Sequence, residues 1–485
     1  MRRTGVAIFI VALFAALSAQ AAPATSARAV VAAASRAMGA DRLNGVQMYG
    51  AAANFTVGQS TRAGGPWPRI NLNDYSRAID FARPATRATA VTWAGPVQGG
   101  RAARGDFNQV VGPANPAWAQ QLEIWTTPWG FLKGAAQNDA TVATQVAGGR
   151  RTQVVTWMTP QKSPSGRPYR VVGYIGPGNL VERVDTWVEN PIFGDLRVER
   201  LYSGYRDAGG VMFPTSIVER RDGQTSFEAQ IFGIVANPPD IAQLTAAPQG
   251  VAPQGPPPAY QGPTSQKLAD GVWRINGAYN ALAVEFADYI LLFEPAPNNE
   301  ARAQAVIAET KRVIPGKPIR YGVISHHHFD HAGGLSAVVA EGITIVTPAV
   351  NKAFLDRALS APRTLAPDAI ARSGKRPVVE GFVGDKRVFQ DATRTFEVHV
   401  VKGLPHADGM VMGWLPKEKI LISADLFNLA SPPPDPPVVA TQVFLANIER
   451  LGLDPERIVS VHTLVPDRLA TMDDIRTLVG LPRPR

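Results

Sequence analysis

Cysteine is absent from all 485 residues of the chain. Its absence excludes disulfides, thiolate metal sites and cysteine nucleophiles together. It says little about compartment, because a chain this long can build its cores without covalent staples. Histidine is scarce. The seven histidines stand at 326, 327, 328, 331, 399, 406 and 462, and the first 325 residues hold none. Runs of Lys and Arg are missing as well. The formal charge of +9 falls to +7 without Arg2 and Arg3, and the rest is thinly spread. Residues 22–264 carry 22 Lys+Arg against 16 Asp+Glu, and residues 265–485 carry 25 against 24. So mild an excess reads as a solvated surface, and nucleic acid is not an expected partner.

Long apolar runs are lacking apart from residues 6–17, which are too few to span a bilayer. Arg2 and Arg3 precede that run and Ser18-Ala19-Gln20-Ala21-Ala22 follow it. This pattern predicts a secretory signal peptide over 1–21, cleaved after Ala21. The expectation is an exported protein, periplasmic or secreted, with no transmembrane anchor after cleavage. The sequence leaves the oligomeric state open.

The composition, 45% hydrophobic and 18% charged, is that of a globular chain long enough for two domains. Residues 27–38 read as an Ala-rich helix ending near Gly39. From 46 to 236 the texture is strands, including 153–159, 169–175, 180–189, 196–205, 211–219 and 226–235, parted by Gly, Pro, Asn or Asp. Val184-Asp185-Thr186-Trp187-Val188 alternates as a half-buried strand does. An antiparallel sheet curved around a helix is expected over 27–236. Its strand rhythm resembles the half-barrels of lipoprotein-sorting proteins, which implies a carrier of an apolar envelope ligand. Residues 237–265, rich in Pro, Gly, Gln and Ala, read as a linker. Over 266–485 strands alternate with helices, which predicts a layered α/β domain with its helices outside.

The chemistry concentrates in Ile324-Ser325-His326-His327-His328-Phe329-Asp330-His331-Ala332-Gly333-Gly334. In extended backbone, residues two apart share a face, so His326, His328 and Asp330 converge and the following turn adds His331. The small residues 332–334 let the chain fold tightly beside them. Imidazole and carboxylate are what zinc and similar cations take when thiolate is unavailable. His406 and His462 lie where strands give way to loops, and Asp425 leaves a strand between them, positions where α/β domains collect functional groups. His399 alternates into a core, His327 points away from its flanking ligands toward a further hydrogen bond, and Asp408 reads as a loop residue.

His326, His328, Asp330 and His331, followed by His406 after 75 residues, Asp425 after 19 more and His462 after another 37, resemble the ligand set of the metallo-β-lactamase superfamily over 266–485. The resemblance implies an αββα sandwich with two divalent metal ions at one edge, zinc foremost and iron or manganese as alternatives. It implies one metal on His326, His328 and His406, a second on Asp330, His331 and His462, and Asp425 bridging both. It also implies a catalytic part for Asp330, and hydrolysis by a metal-bound hydroxide.

Asp425 stands where one lactamase subclass keeps a cysteine, and Asn428 where that subclass keeps a basic residue. A bridging aspartate is more similar to the glyoxalase II, lactonase and alkylsulfatase branches. The expectation is therefore a hydrolase of a small ester, lactone, thioester or amide. The alternatives are a β-lactam hydrolase, a carrier, or iron-dependent oxidation on the same fold. The stiff Pro-rich segment 432–437 is a candidate wall of the cleft.

Overall fold

A computed structural model describes residues 26–94, 103–115, 117–248, 262–277 and 279–481. The expected signal segment and residues 249–261 of the expected linker lie outside the described residues. The first element is the expected helix, α1 (Ala27–Met38), capped by the Ser26 side chain and ended by Gly39 at φ 66°. A Cβ on Gly39 would meet the Gly210 carbonyl oxygen at 2.3 Å, so only glycine suits both the turn and the close approach.

The strands that follow are β1 (Gly45–Phe55), β2 (Arg69–Asp80), β3 (Ala85–Ala94), β4 (Ala103–Val111), β5 (Thr141–Ala147), β6 (Arg150–Lys162), β7 (Pro168–Ile175), β8 (Val181–Asn190) and β9 (Gly194–Ser203). A two-residue hairpin, β10 (Arg206–Asp207) with β11 (Met212–Phe213), leads to β12 (Ser216–Arg221) and β13 (Gln224–Ala236). Eleven of them form one antiparallel sheet in the order β4-β3-β2-β1-β13-β12-β9-β8-β7-β6-β5. Two further helices interrupt the stretch expected to be all strand: α2 (Trp118–Trp125) and α3 (Pro128–Gln137). Trp118 and Leu122, one turn apart and both buried, give α2 its core face. Thr127 caps α3 and Pro128 occupies its first turn, where a missing N–H costs nothing. These helices, with α1, bury Met38, Trp118, Trp129 and Phe131 against Trp157, Val171 and Val184 of the sheet. The short α4 (Ile241–Leu244) follows β13, and the Asn237 side chain ties this end to the backbone of Asn44, Gly45 and Arg42.

The second region runs β14 (Thr264–Ala269), β15 (Val272–Asn276), β16 (Ala281–Glu285), β17 (Ile290–Phe293), α5 (Glu300–Val313), β18 (Ile319–Val323), α6 (Phe329–Ala332), α7 (Leu335–Glu341), β19 (Thr344–Pro348), α8 (Ala349–Leu359), α9 (Ala369–Ser373) and β20 (Val379–Phe382). It continues with β21 (Lys386–Gln390), β22 (Thr395–Val400), β23 (Val411–Leu415), β24 (Ile420–Ser423), α10 (Val439–Leu451), β25 (Arg457–Ser460) and α11 (Met472–Leu478). Strands β14 to β20 make a seven-stranded sheet and β21 to β25 a five-stranded one, each in sequence order. Leu282, Phe293, Val323 and Val346 of the first pack with Phe396, Val398, Ile422 and Val459 of the second. Val306, Val338 and Leu355 from α5, α7 and α8 cover the first sheet, and Phe444, Ile448 and Ile475 from α10 and α11 cover the second. This is the expected αββα layering.

The two regions are packed together. Phe193 meets the rings of Phe329 and Phe354 at 5.5 and 5.8 Å. The Asp195 carboxylate accepts from the backbone of Thr364 and Leu365 at 2.9 to 3.0 Å. The Arg363 guanidinium donates to the carbonyls of Pro191 and Ile192.

Candidate metal centre

Four strand ends supply the site. The segment after β18 carries His326 and His328, the loop after β22 carries His406, the exit of β24 carries Asp425, and the exit of β25 carries His462. Strands β24 and β25 run parallel, so their C-terminal ends fall on one edge. One expectation needs correction. Asp330 does not continue an extended strand, because α6 begins at Phe329 with His328 as its cap, and the backbone N–H of His331 and Ala332 return to the His328 carbonyl. Asp330 and His331 therefore reach the site from a helical turn. The turn fits because Gly333 lies against Asn298, whose carbonyl oxygen a Cβ would meet at 2.0 Å.

The ligand atoms gather in two groups, each within 4.8 Å: His326, His328, His406 and Asp425 in one, and Asp330, His331 and His462 in the other. Asp425 touches both. Its Oδ2 lies 3.2 Å from Nε2 of His326 and of His406 and 3.0 Å from Nε2 of His331, and its Oδ1 lies 2.5 Å from Nε2 of His462. Asp330 Oδ2 is 3.3 Å from Nε2 of His331 and 3.7 Å from Nε2 of His462. His327 is buried and makes its expected hydrogen bond, to Ser60, outside both groups. His399 lies on β22 against Glu397, away from the site. Asp408 is bound through its backbone N–H to the Thr61 carbonyl. Segment 432–437 is largely exposed loop.

Side chains behind the ligands fix their rings, and the sequence reading missed them. Glu294, at the end of β17 with φ 62°, accepts from His331 Nδ1 at 2.8 Å and from the Ser325 backbone at 3.2 Å. A carboxylate closing the apolar run Ile290-Leu291-Leu292-Phe293 was the available signal, since a buried glutamate needs a partner. Ser325 Oγ is 3.0 Å from His326 Nδ1. The Tyr279 hydroxyl donates to Asp330 Oδ2 at 3.0 Å, and its ring lies 4.4 Å from that of His462, where a short backbone bridge joins the two residues. From the N-terminal region, the Gln59 side-chain amide donates to Asp330 Oδ1 at 3.0 Å and the Ser60 carbonyl accepts from His328 Nε2 at 3.0 Å. Nothing in 56–68 announces those contacts in sequence.

The donor set fits a divalent cation. Nδ1 of His328 is buried without a hydrogen-bond partner, and Nε2 of His331 is buried facing the carboxylates of Asp330 and Asp425. Burial pushes His326 well below the ordinary histidine range and His328 down to about 3, leaving neutral rings with free lone pairs. Asp330 and Asp425 lie far below the usual carboxylate range; burial opposes this, but neighbouring histidines outweigh it. His331 is held well above its ordinary value, because Glu294 and Asp425 outweigh its burial. The second group thus favours positive charge, and a metal ion supplies that charge with nitrogen and oxygen ligands only.

Residues 275–462 match the metallo-β-lactamase superfamily model and form a domain of that superfamily; the β-rich region before them is unassigned. Among solved structures, a metallo-β-lactamase from Pontibacter korlensis is 18% identical with a TM-score of 0.34, over 45% of this chain and 98% of that one. A mono-zinc metallo-β-lactamase from Pseudomonas aeruginosa is 17% identical with a TM-score of 0.34, over 46% and 96%. A rubredoxin oxygen:oxidoreductase from Desulfovibrio gigas is 20% identical with a TM-score of 0.34, over 45% and 61%. No curated protein matches the chain.

Proposed function

We propose that this metallo-β-lactamase superfamily domain is the catalytic part of an exported hydrolase. It uses two divalent cations, zinc before iron or manganese, to cleave a small ester, lactone, thioester or amide. Asp425 carries the reading. Its carboxylate lies within 3.2 Å of ring nitrogens from both groups, so it could be shared by cations held in each. Cations held there would supply Lewis acidity toward a carbonyl and activate water at neutral pH.

The chain's own residues prepare the rest. Glu294 and Ser325 hold two ligand rings in place, so the site needs little reorganisation when substrate arrives. Burial of His326, His328 and His331 keeps water from the back of the site and strengthens every charge interaction there. Tyr279 keeps its proton at neutral pH, since burial and then Asp330 raise its pKa above the ordinary tyrosine value, and it offers that proton beside Asp330.

The first test is metal content by mass spectrometry, paired with Asp425→Ala and a panel of the four substrate classes. About two equivalents of zinc, falling in the variant, with turnover of one class, is expected. Iron in a protein inert toward all four classes would move the reading to oxidation. A carrier role for the N-terminal region has less support. Its groove of about 800 Å³ is lined by Arg28, Asp41, Lys133 and Asp139 beside Val31 and Phe81, a mixed surface that does not shield an apolar chain from water.

A further inference from the structure

The geometry points to a metal centre completed by the N-terminal region: the loop between β1 and β2 orients one ligand in each group, with Ser60 and Gln59 as positioning residues. This rests on the metal-site reading above and adds a partner within the same chain. Three consecutive residues of the loop reach three parts of the site. The Gln59 amide donates to Asp330 Oδ1 at 3.0 Å. The Ser60 carbonyl lies 3.0 Å from His328 Nε2 and 2.8 Å from His327 Nε2. The Thr61 carbonyl accepts from the backbone of Asp408, two residues after His406, at 2.6 Å.

Each contact sets a ligand atom. A carbonyl oxygen can only accept, so the Ser60 contact places the proton of His328 on Nε2 and leaves its unpartnered Nδ1 as the free lone pair. The Gln59 amide occupies Oδ1 of Asp330, which leaves Oδ2 turned toward His331 and His462. Hydrogen bonds of this kind fix ring orientation and carboxylate geometry at metal sites.

The loop is built in rather than draped over the site. Ser60 is 3% exposed and His327 1% exposed. Gly58, at φ 87°, passes so close to α6 that a Cβ would lie 2.3 Å from the Phe329 ring. The base of the loop is closed by the Thr56 backbone donating to the Pro68 carbonyl at 2.9 Å, beside a buried Trp67. Elsewhere the two regions are joined by Asp195 on Thr364 and by Arg357 on Asp222.

The test uses the full chain with two substitutions that spare every ligand, Gln59→Leu and Gly58→Ala. Zinc affinity is read by chelator competition, and ligand geometry by the visible absorption of the cobalt-loaded protein, with circular dichroism reporting the fold. Gln59→Leu is expected to weaken one equivalent by about 10- to 100-fold and to shift the cobalt spectrum while the other equivalent keeps its affinity. Gly58→Ala, which pushes the loop off Phe329, is expected to weaken both. If Gly58→Ala does not fold, Gln59→Leu decides alone. Wild-type affinities and spectrum in the folded variants would overturn the positioning role and leave the metal site standing. A wild-type chain that takes up no metal would overturn the hydrolase reading and this one with it.

Discussion

Glu294 and His331 form a buried pair, with the carboxylate Oε1 2.8 Å from the imidazole Nδ1 and both side chains out of contact with water. The pair holds the His331 proton on Nδ1, which directs Nε2 at Asp330 and Asp425. Glu294→Ala is expected to weaken metal binding in the group of Asp330, His331 and His462 by about 10- to 100-fold, with Glu294→Gln in between. Chelator competition on the folded variants measures this; equal affinity in all three proteins would show that His331 is oriented without Glu294.

Tyr279→Phe keeps the ring beside His462 and removes only the hydroxyl that donates to Asp330. Metal content should stay unchanged while kcat/KM falls about tenfold, or about 1.4 kcal/mol. Parallel metal analysis and kinetics check it, and a loss of metal instead would make the hydroxyl a support of Asp330 alone.

The N-terminal sheet buries a network of charges. Arg200 donates to Glu219 at 2.6 and 2.8 Å, Arg221 donates to the same carboxylate at 2.8 Å, and Arg77 lies 3.2 Å from Glu123. Burial would raise the Glu219 pKa, but Arg221 and Arg200 outweigh it and hold the carboxyl far below its ordinary 4.5. A depressed carboxyl gives stability that is present above the unfolded-state value and lost as pH falls through and below it. Thermal midpoints should therefore drop as pH falls below 4.5, and Glu219→Gln should flatten that part of the dependence. Removing one partner leaves buried charge uncompensated, so Arg200→Met should cost about 3–5 kcal/mol in denaturant unfolding.

Gly134 sits inside α3, where alanine ordinarily stabilises a helix by about 0.8–1.0 kcal/mol. Here a Cβ would lie 2.4 Å from the Trp157 ring, itself packed on Trp118 and Phe131. Overpacking of about 1–3 kcal/mol outweighs the propensity gain, so Gly134→Ala should lower the thermal midpoint. A raised midpoint would mean that Trp157 can move aside.

Several elements were legible because their signals are local. Gly39 marks the end of α1 in the chain itself, and the alternation in 184–188 marks β8. Helices α2 and α3 escaped because tryptophan and phenylalanine suit strands as well as helices.

The sequence by itself determined the chemistry of the centre. With no cysteine and all seven histidines after residue 325, a histidine-bearing ligand set could gather only in the second region, and the spacing from His326 to His331 put four candidate ligands in one short segment. Tertiary structure alone decided what holds those ligands. Glu294 meets His331 across 37 positions and Ser60 meets His328 across 268. No periodicity encodes such pairings; they arise because strand ends and the β1–β2 loop are packed against one edge, where a buried donor without a partner is costly.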